Sequence, residues 1–328
     1  MCYLNGAVPS MVKSDKLSKD NEPISLEDII LSDVKPSLGR TIFFYKTKCH
    51  PPDSKYILNL TARQACSIES AALHNPNFQV FLLFESPSYF PDDQETPLLD
   101  AIQSYQNVHL RQLNIWRYAD HTPLQDWIKK ADLLRPSFQS EYTSNLIRFL
   151  TLYHFGGIYL DIDSIVLRSL KDMPLNYMGA HDNVTLDNAV FSLEPKGTGH
   201  EIAVLFLLDI QENYDKRLFE YNENSLIDWL VKRICGTVSV RKKDSSRCHG
   251  LQVLNSTAVL TVPSQYWSNS LDHNLLKAII SKAENSYIIH FRNKLSSKCD
   301  FKKGFSTIYA IYAKQNCPKV YEATGEFF

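Results

Sequence analysis

Apolar residues recur at three- and four-residue spacing in the stretch that precedes Gly156, and this period predicts an amphipathic helix. The residues with this spacing are Leu146, Phe149, Leu150, Tyr153 and His154. Thr143 or Ser144 is the predicted N-cap, because both side chains can accept a hydrogen bond from the first helical turn. Gly156 and Gly157 are predicted to end the helix, since glycine tolerates the left-handed backbone of a helix stop.

The pattern after the two glycines changes from helical to extended. The apolar run 158–160 predicts a short buried strand, and Asp161 and Asp163 follow where it ends. Residues two apart in an extended chain point to the same side, so we expect the two carboxylates to share a face. Such a pair suits a hard divalent cation with oxygen ligands. An Asp-x-Asp triplet also occurs by chance in loops, so the pair alone does not establish a metal site.

Strands and helices alternate along the rest of the chain. Predicted strands are 42–45, 80–84, 108–113, 188–193 and 287–291, and predicted helices are 61–73, 124–130, 199–213, 225–235, 271–283 and 305–315. This order predicts a single α/β domain with a mostly parallel sheet flanked by helices, and a ligand crevice at the carboxyl ends of its strands. Residues 1–40 are polar and lysine-rich, so we expect a stem-like, poorly ordered segment before a domain spanning 41–328.

Composition narrows the class of protein. The chain has 328 residues, of which 44% are apolar, and these support a sizeable core. The net charge of −1 gives no electrostatic footprint for nucleic acid. No apolar run is long enough to cross a bilayer, and the N-terminus has no evident signal peptide.

Several strings of the sequence together resemble one family. They are FFYKTKC at 43–49, RQACSIESAALHNPN at 63–77, FGGIYLDID at 155–163, HFRNK at 290–294 and NCPKVYEA at 316–323. This combination resembles the Asp-x-Asp retaining glycosyltransferases, and within them the family of lactosylceramide α-1,4-galactosyltransferase and α-1,4-N-acetylglucosaminyltransferase. The resemblance covers about residues 40 to 325.

The resemblance implies a GT-A-type domain and an enzymatic activity. A member is expected to move galactose or an N-acetylhexosamine from a UDP-sugar, in α linkage with retention, to a glycolipid or glycan terminus. It is expected to use Mn²⁺ or another divalent cation and to act in the Golgi lumen. Members carry an N-terminal membrane anchor, so membrane association is expected, although this chain shows no anchor.

The family pattern also assigns roles to individual residues. Asp163 is expected to ligate the metal, and Asp161 to contact the ribose or the metal. Arg148 on the preceding helix is expected to bind the donor sugar or a phosphate. The expected catalytic residues are Asp161, Asp163 and Arg148. The residues expected to bind the donor are Arg63, Asn145, Asp161, His290 and Asn293.

Departures from the family pattern at positions 145, 222–225 and 292 motivate an alternative function. Asn145 stands where the family usually has aspartate, and Arg292 stands where it has tryptophan. The alternative is a weakened or inactive relative that acts as a partner or chaperone of an active transferase. A phosphohydrolase with Asp161 as nucleophile and Asp163 as acid is a further alternative. The chain lacks the downstream acidic motif that phosphohydrolase chemistry needs.

The seven cysteines contain no Cys-x-x-Cys pair, which argues against zinc or thioredoxin chemistry. The family pattern implies the disulfides Cys49–Cys66 and Cys235–Cys248, followed by Cys299–Cys317, with Cys2 left free. Glycosylation sequons begin at Asn59, Asn183 and Asn255. With the resemblance, these features favour an oxidising lumen. Reduced thiols in a cytosolic protein are the alternative.

Overall fold

A computed structural model describes residues 24–46, 57–91, 96–130, 140–182, 185–212, 223–237, 244–262, 273–292, 301–304 and 307–328. The strands in these ranges are β1 (Thr41–Lys46), β2 (Gln79–Glu85), β3 (Val108–Leu113), β4 (Gly157–Leu160), β5 (Ser164–Val166), β6 (Tyr177–Ala180), β7 (Leu186–Leu193), β8 (Gln252–Val253), β9 (Val259–Thr261) and β10 (Ile288–His290). The helices are α1 (Ala62–His74), α2 (Pro97–Gln103), α3 (Ile115–Ala119), α4 (Gln125–Lys129), α5 (Ser140–Phe155), α6 (Thr198–Glu212), α7 (Glu223–Cys235), α8 (His273–Ala283), α9 (Ile308–Asn316) and α10 (Pro318–Ala323).

The described strands form two sheets. The larger sheet has the order β3-β2-β1-β4-β7-β6-β8. Neighbours from β3 to β4 are parallel, β7 is antiparallel to both β4 and β6, and β8 is parallel to β6. The smaller sheet has the order β5-β10-β9, with β10 antiparallel to β5 and parallel to β9. The predicted α/β class with a mostly parallel sheet is confirmed.

Helices cover both faces of the larger sheet, because its central strands are apolar on both sides. Ile42 and Phe44 of β1 enter a core shared with α1, α2 and the smaller sheet. Phe43 and Tyr45 enter the opposite core, shared with α5 and α6. The alternation follows from the two-residue period of a strand. The molecule therefore has the three predicted layers.

The element that precedes the Asp-x-Asp triplet differs from its prediction at one end. Helix α5 begins at Ser140, so the predicted N-cap at Thr143 or Ser144 is wrong. Both residues lie inside the helix, where tertiary packing outweighs their modest helix propensity. The predicted stop is confirmed, since α5 ends before Gly156, whose φ is +60°. A Cβ atom on Gly156 would lie 2.5 Å from the backbone nitrogen of Pro195, so glycine is required there.

The other predicted strands and helices are present with their ends shifted by a few residues. Sequence analysis did not predict α2, α3, α10, β5, β6, β8 and β9. Most of these elements are short, and a few residues show too little of a helical or strand period to be recognised. No helix among the described residues combines the length and the apolar character that crossing a bilayer requires.

Part of the predicted stem packs against the domain. Leu26 is 4% exposed and donates a backbone hydrogen bond to Ser88, and Ile29 is fully buried. Asp28 is 2.7 Å from the guanidinium of Arg117 in an ion pair. We therefore propose that the folded domain begins before Leu26 rather than at residue 41.

The disulfide prediction was right for one pair and wrong for the others. Cys235–Cys248 joins the end of α7 to the loop that follows, as predicted. Cys66, however, is bonded to Cys317, 251 residues away, and not to Cys49. The reason is that α1 packs against α10, which brings the two Cα atoms to 5.1 Å. This bond also excludes the expected Cys299–Cys317 pair. Cys2, Cys49 and Cys299 lie outside the described residues.

Candidate active site

The Asp-x-Asp triplet forms a turn between β4 and β5. The N–H of Asp161 donates to the carbonyl of Ala189 on β7 at 2.8 Å, and the N–H of Ser164 donates to the carbonyl of Asp161 at 3.1 Å. The second bond closes the turn, so the chain is not extended through the triplet. The two carboxylates converge because of this turn, whereas sequence analysis attributed their proximity to the alternation of a strand.

A histidine from the smaller sheet joins the two carboxylates. His290 is the last residue of β10, and the antiparallel register pairs it with Ser164, next to Asp163. Its Nε2 atom lies 3.1 Å from Oδ1 of Asp163. Asp161, Asp163 and His290 each offer a ligand atom, and these atoms all lie within 4.8 Å of one another. The group lies at the carboxyl end of β4, which is the edge that the α/β topology predicts for a ligand.

Arg148 of α5 holds Asp161 from the side of the helix. Its Nη2 atom donates to Oδ1 of Asp161 at 2.7 Å, and its Nη1 atom donates to Oδ1 of Asn145. The guanidinium carbon lies 4.8 Å from the centre of the Tyr159 ring. Arg148 is only 3% exposed, and Asp161 balances its charge even though Asn145 has none. The departure from the family pattern at position 145 therefore leaves no uncompensated arginine.

The environment of Asp161 acts on its ionisation in both directions. Burial raises the pKa of the Asp161 carboxyl, the neighbouring charge of Arg148 lowers it, and the carboxylate of Asp163 raises it again. His290 also lowers this pKa. Burial has the largest effect, so the net shift in the absence of a cation is upward. A cation between the two carboxylates would favour their ionised forms.

The chemistry of this donor set fits a divalent cation. Carboxylate oxygens are the ligands preferred by Mg²⁺ and Mn²⁺, and an imidazole nitrogen is acceptable to transition metals. Asp161 and Asp163 are partly buried and His290 is buried, so each ligand atom is held by packing. Among the described residues, no other group of three or more His, Cys, Asp or Glu side chains has this geometry.

Arg63 and an aromatic cluster lie behind the site. The guanidinium carbon of Arg63 is 4.4 Å from the centre of the Phe301 ring and 5.8 Å from that of Tyr309. Tyr309 is 2% exposed, and within the described part of the chain its hydroxyl has no hydrogen-bond partner. Burial raises the pKa of Tyr309, Arg63 lowers it and Asp163 raises it. Tyr309 is thus a buried polar group near the acidic pair that sequence analysis did not nominate.

The structure brings together five of the predicted site residues, which are Asp161, Asp163, His290, Arg148 and Asn145. Asn145 hydrogen-bonds Arg148, so its amide oxygen faces the arginine. Asn293 lies outside the described residues. Arg292 is described, and its φ of +47° places a non-glycine residue in the left-handed region directly after Phe291. The donor contacts predicted for Arg63, Asn145, Arg148 and Asn293 stay predictions.

Comparison with protein families agrees with this site. Residues 61–185 match the model of a glycosyltransferase sugar-binding region containing a DXD motif. Residues 195–324 match the model of an α-1,4-glycosyltransferase conserved region. The α/β fold, the acidic turn and the first match make the chain similar to Asp-x-Asp glycosyltransferases.

The second match and the relatives show a narrower similarity. The chain is 28% identical over 259 residues to lactosylceramide 4-α-galactosyltransferase of Mus musculus, covering 79% of this chain and 70% of that protein. It is 20% identical over 261 residues to α-1,4-N-acetylglucosaminyltransferase of Homo sapiens, covering 78% and 74%. Both relatives belong to the family that the sequence strings resemble, so the comparisons confirm that resemblance.

A solved structure resembles the chain more remotely. Galactosyltransferase LgtC, in complex with donor and acceptor sugar analogues, aligns with a TM-score of 0.44 and 14% identity. The alignment covers 85% of this chain and 95% of that one.

Proposed function

We propose that the chain is a retaining hexosyltransferase that uses a UDP-sugar donor. It moves galactose or an N-acetylhexosamine in α linkage to the terminus of a glycolipid or glycan. The observation that supports this most is the convergence of Asp161, Asp163 and His290 within 4.8 Å at the carboxyl end of β4. The site occurs in a chain that the two family models match on either side of residue 190.

The cofactor that we propose is Mn²⁺, held by Asp161 and Asp163, with His290 beside them. When bound, the cation acts as a Lewis acid that stabilises the charge gathering on the departing diphosphate. The Nε2 atom of His290 contacts Oδ1 of Asp163 at 3.1 Å. Two carboxylates are also a smaller ligand set than Mn²⁺ accepts, which leaves positions for phosphate oxygens and water.

Arg148 has a different role in this proposal from the one that sequence analysis gave it. Its Nη1 and Nη2 atoms donate to Asn145 and Asp161, so it orients a metal ligand and favours the ionised form of that ligand. Arg63 and Asn293 are the proposed donor contacts. Arg63 is 6% exposed and lies against the rings of Phe301 and Tyr309, which limits its motion.

We propose the Golgi lumen as the location, with membrane association as in the family. The disulfides Cys66–Cys317 and Cys235–Cys248 support an oxidising compartment. Two of the sequon asparagines, Asn59 and Asn255, are exposed. Asn183 lies outside the described residues.

Turnover of UDP-sugars tests the proposal. UDP-galactose, UDP-N-acetylgalactosamine and UDP-N-acetylglucosamine are incubated with the protein and Mn²⁺, and released UDP is measured. We expect turnover of at least one donor and loss of turnover on chelation. The substitution Asp163→Ala should abolish turnover and Mn²⁺ binding, with the melting temperature of the metal-free protein nearly unchanged. Asp172→Ala, which changes an exposed aspartate, is the matched control and should leave both intact.

A different outcome of the same experiment identifies the alternative function. UDP binding without turnover of any UDP-hexose would favour an inactive relative that serves as a partner or chaperone of an active transferase. The observation that motivates this alternative is Arg292, which occupies the family's tryptophan position in a left-handed conformation. A planar guanidinium can stack on a sugar or base, but it brings a charge that tryptophan lacks.

A further inference from the structure

A serine of α1 contacts the Asp-x-Asp turn through its side chain. Oγ of Ser67 donates to the carbonyl of Ile162, the residue between the two aspartates, at 2.9 Å. A second acceptor, the carbonyl of Arg63 in the same helix, lies at 3.3 Å. Ser67 is 1% exposed, so this hydroxyl is withdrawn from solvent and the contact to Ile162 is its shorter bond.

The same side of α1 continues to bind the chain beyond the turn. Oγ of Ser70 accepts a hydrogen bond from the N–H of Val166 at 3.0 Å. The side chain of Asn75, which follows the helix, accepts one from the N–H of Leu170 at 2.7 Å. With Ser67 these groups contact every fourth residue of the segment 162–170. The helix and the segment are therefore fixed in one register, and Ser67 has little freedom to move.

The bond to Ile162 bears directly on the second metal ligand. The carbonyl of Ile162 and the backbone nitrogen of Asp163 belong to one peptide unit, which is planar and rigid. The Cα atom of Asp163 lies in the same plane, so fixing the carbonyl oxygen restricts the position of the atom that carries the Asp163 side chain. The carbonyl of Asp163 in turn accepts a hydrogen bond from the N–H of Phe291 at 3.2 Å. The turn is thus held on both sides of Asp163.

Ser67 differs from the other groups that hold the backbone of the triplet because its donor is a side chain. The contacts from β7 to Asp161 and from Phe291 to Asp163 use backbone N–H groups, which a substitution leaves in place. The contact from Ser67 disappears when the hydroxyl is removed. Since the serine touches neither the cation nor the donor, its effect would pass through the position of Asp163.

We propose that Ser67 is a positioning residue that sets the distance between the carboxylates of Asp161 and Asp163 for cation binding. This inference rests on the proposed function, because it concerns the same metal site. A ligand set in the right position binds a cation without first rearranging, and groups that orient metal ligands change affinity roughly 10- to 100-fold when removed.

Direct measurement of Mn²⁺ binding tests the inference. Free Mn²⁺ is titrated against metal-free protein without nucleotide and followed by electron paramagnetic resonance. Ser67→Ala should weaken binding about tenfold, the lower end of the range for orienting groups. Ser67→Thr keeps the hydroxyl and should restore most of the affinity. Ser192→Ala is the matched control, since Ser192 is also buried and its hydroxyl donates to a backbone carbonyl, that of Leu175, at 3.0 Å.

The outcomes separate this inference from the proposed function. Unchanged Mn²⁺ affinity in Ser67→Ala, or equal weakening in Ser192→Ala, would overturn the positioning role while leaving the metal site standing. Absence of Mn²⁺ binding by the unaltered protein would overturn both. If Ser67→Ala does not fold, Ser67→Cys keeps the side-chain shape with a weaker donor, and it should bind Mn²⁺ less tightly than the unaltered protein. Normal affinity in Ser67→Cys would contradict the inference.

Discussion

The two sides of α1 are attached to their neighbours by very different interactions. On the side of the Asp-x-Asp turn, Ser67 and Ser70 each make one hydrogen bond to the segment 162–170, between neutral groups. On the side of the C-terminal helix α10, Cys66 forms a disulfide with Cys317. Glu69 lies about one helical turn after Cys66 and is fully buried. It carries a carboxylate, whereas the serines are neutral.

Glu69 binds the first turn of α10 with both carboxylate oxygens. The N–H of Lys319 donates to Oε1 at 2.9 Å, and the N–H of Val320 donates to Oε2 at 2.7 Å. The hydroxyl of Tyr105 donates to Oε1 at 2.7 Å. A carboxylate at a helix N-terminus satisfies N–H groups that lack a helical partner and interacts favourably with the helix dipole.

The two sides of α1 are therefore expected to affect different properties, namely global stability and cation affinity. The covalent and ionic side holds α1 to the rest of the fold, so it should govern global stability. The neutral side holds a turn whose geometry matters within fractions of an ångström, so it should govern cation affinity. Substitutions on the two sides should therefore change different measured quantities.

Removal of the Cys66–Cys317 disulfide should have the largest effect on stability. The double substitution Cys66→Ala, Cys317→Ala opens a loop of 251 residues, and the expected loss is about 3 to 5 kcal/mol of unfolding free energy. Urea denaturation measures it. Removing Cys235–Cys248, which closes only 13 residues, is the control and should cost less. Equal losses of unfolding free energy from the two disulfides would contradict a larger contribution of Cys66–Cys317 to stability.

Substitution of Glu69 should have the next largest effect. Glu69→Gln keeps the shape but removes the charge and turns one acceptor into a donor, which faces an N–H of α10. We expect a loss of about 2 to 3 kcal/mol, in the range for hydrogen bonds to charged groups. Glu322→Gln, at an exposed position, is the control and should change stability by less than about 0.5 kcal/mol. Mn²⁺ affinity of the folded Glu69 variant should stay within about twofold. A larger change would contradict the claim that only the side of α1 facing the Asp-x-Asp turn governs cation affinity.

Substitution of Ser70 should have the smallest effect on stability, and it contrasts directly with substitution of Ser67. Ser70→Ala removes the acceptor for the N–H of Val166 and should cost about 1 kcal/mol, close to the cost of Ser67→Ala. Because Val166 lies beyond the Asp-x-Asp turn, Mn²⁺ affinity should be nearly unchanged in this variant. A parallel Mn²⁺ titration of the two alanine variants measures the difference. Equal weakening by both would show that α1 acts on the site only as a whole.

The sequence was most informative where one segment carried its own pattern. The helix before Gly156 and the apolar run 158–160 were predicted because each has a clear period, and the glycine stop follows from backbone sterics. The family strings pointed to the acidic pair as metal ligands and to His290 as a donor contact, and these roles stay predictions. The register of β10 beside β5 explains why a histidine far along the chain reaches Asp163.

The sequence was least informative where distant segments meet. The pairing of Cys66 with Cys317 depends on α1 packing against α10, and connectivity of this kind cannot be deduced from spacing. Ser67 lies within a motif that carried the family resemblance, yet its contact with Ile162 depends on tertiary structure. The burial of Tyr309 beside Arg63 likewise depends on tertiary structure and could not be predicted from the sequence.

The central claim is that Asp161 and Asp163, with His290 beside them, hold the cation. Anomalous diffraction at the manganese edge, from crystals grown with Mn²⁺ and UDP, tests it most directly. We predict an anomalous peak within about 2.0 to 2.3 Å of an oxygen of Asp163, between the aspartate pair and the nucleotide diphosphate, at distances usual for such cations. A manganese peak at another place in the protein, or UDP bound away from the acidic turn, would contradict the account.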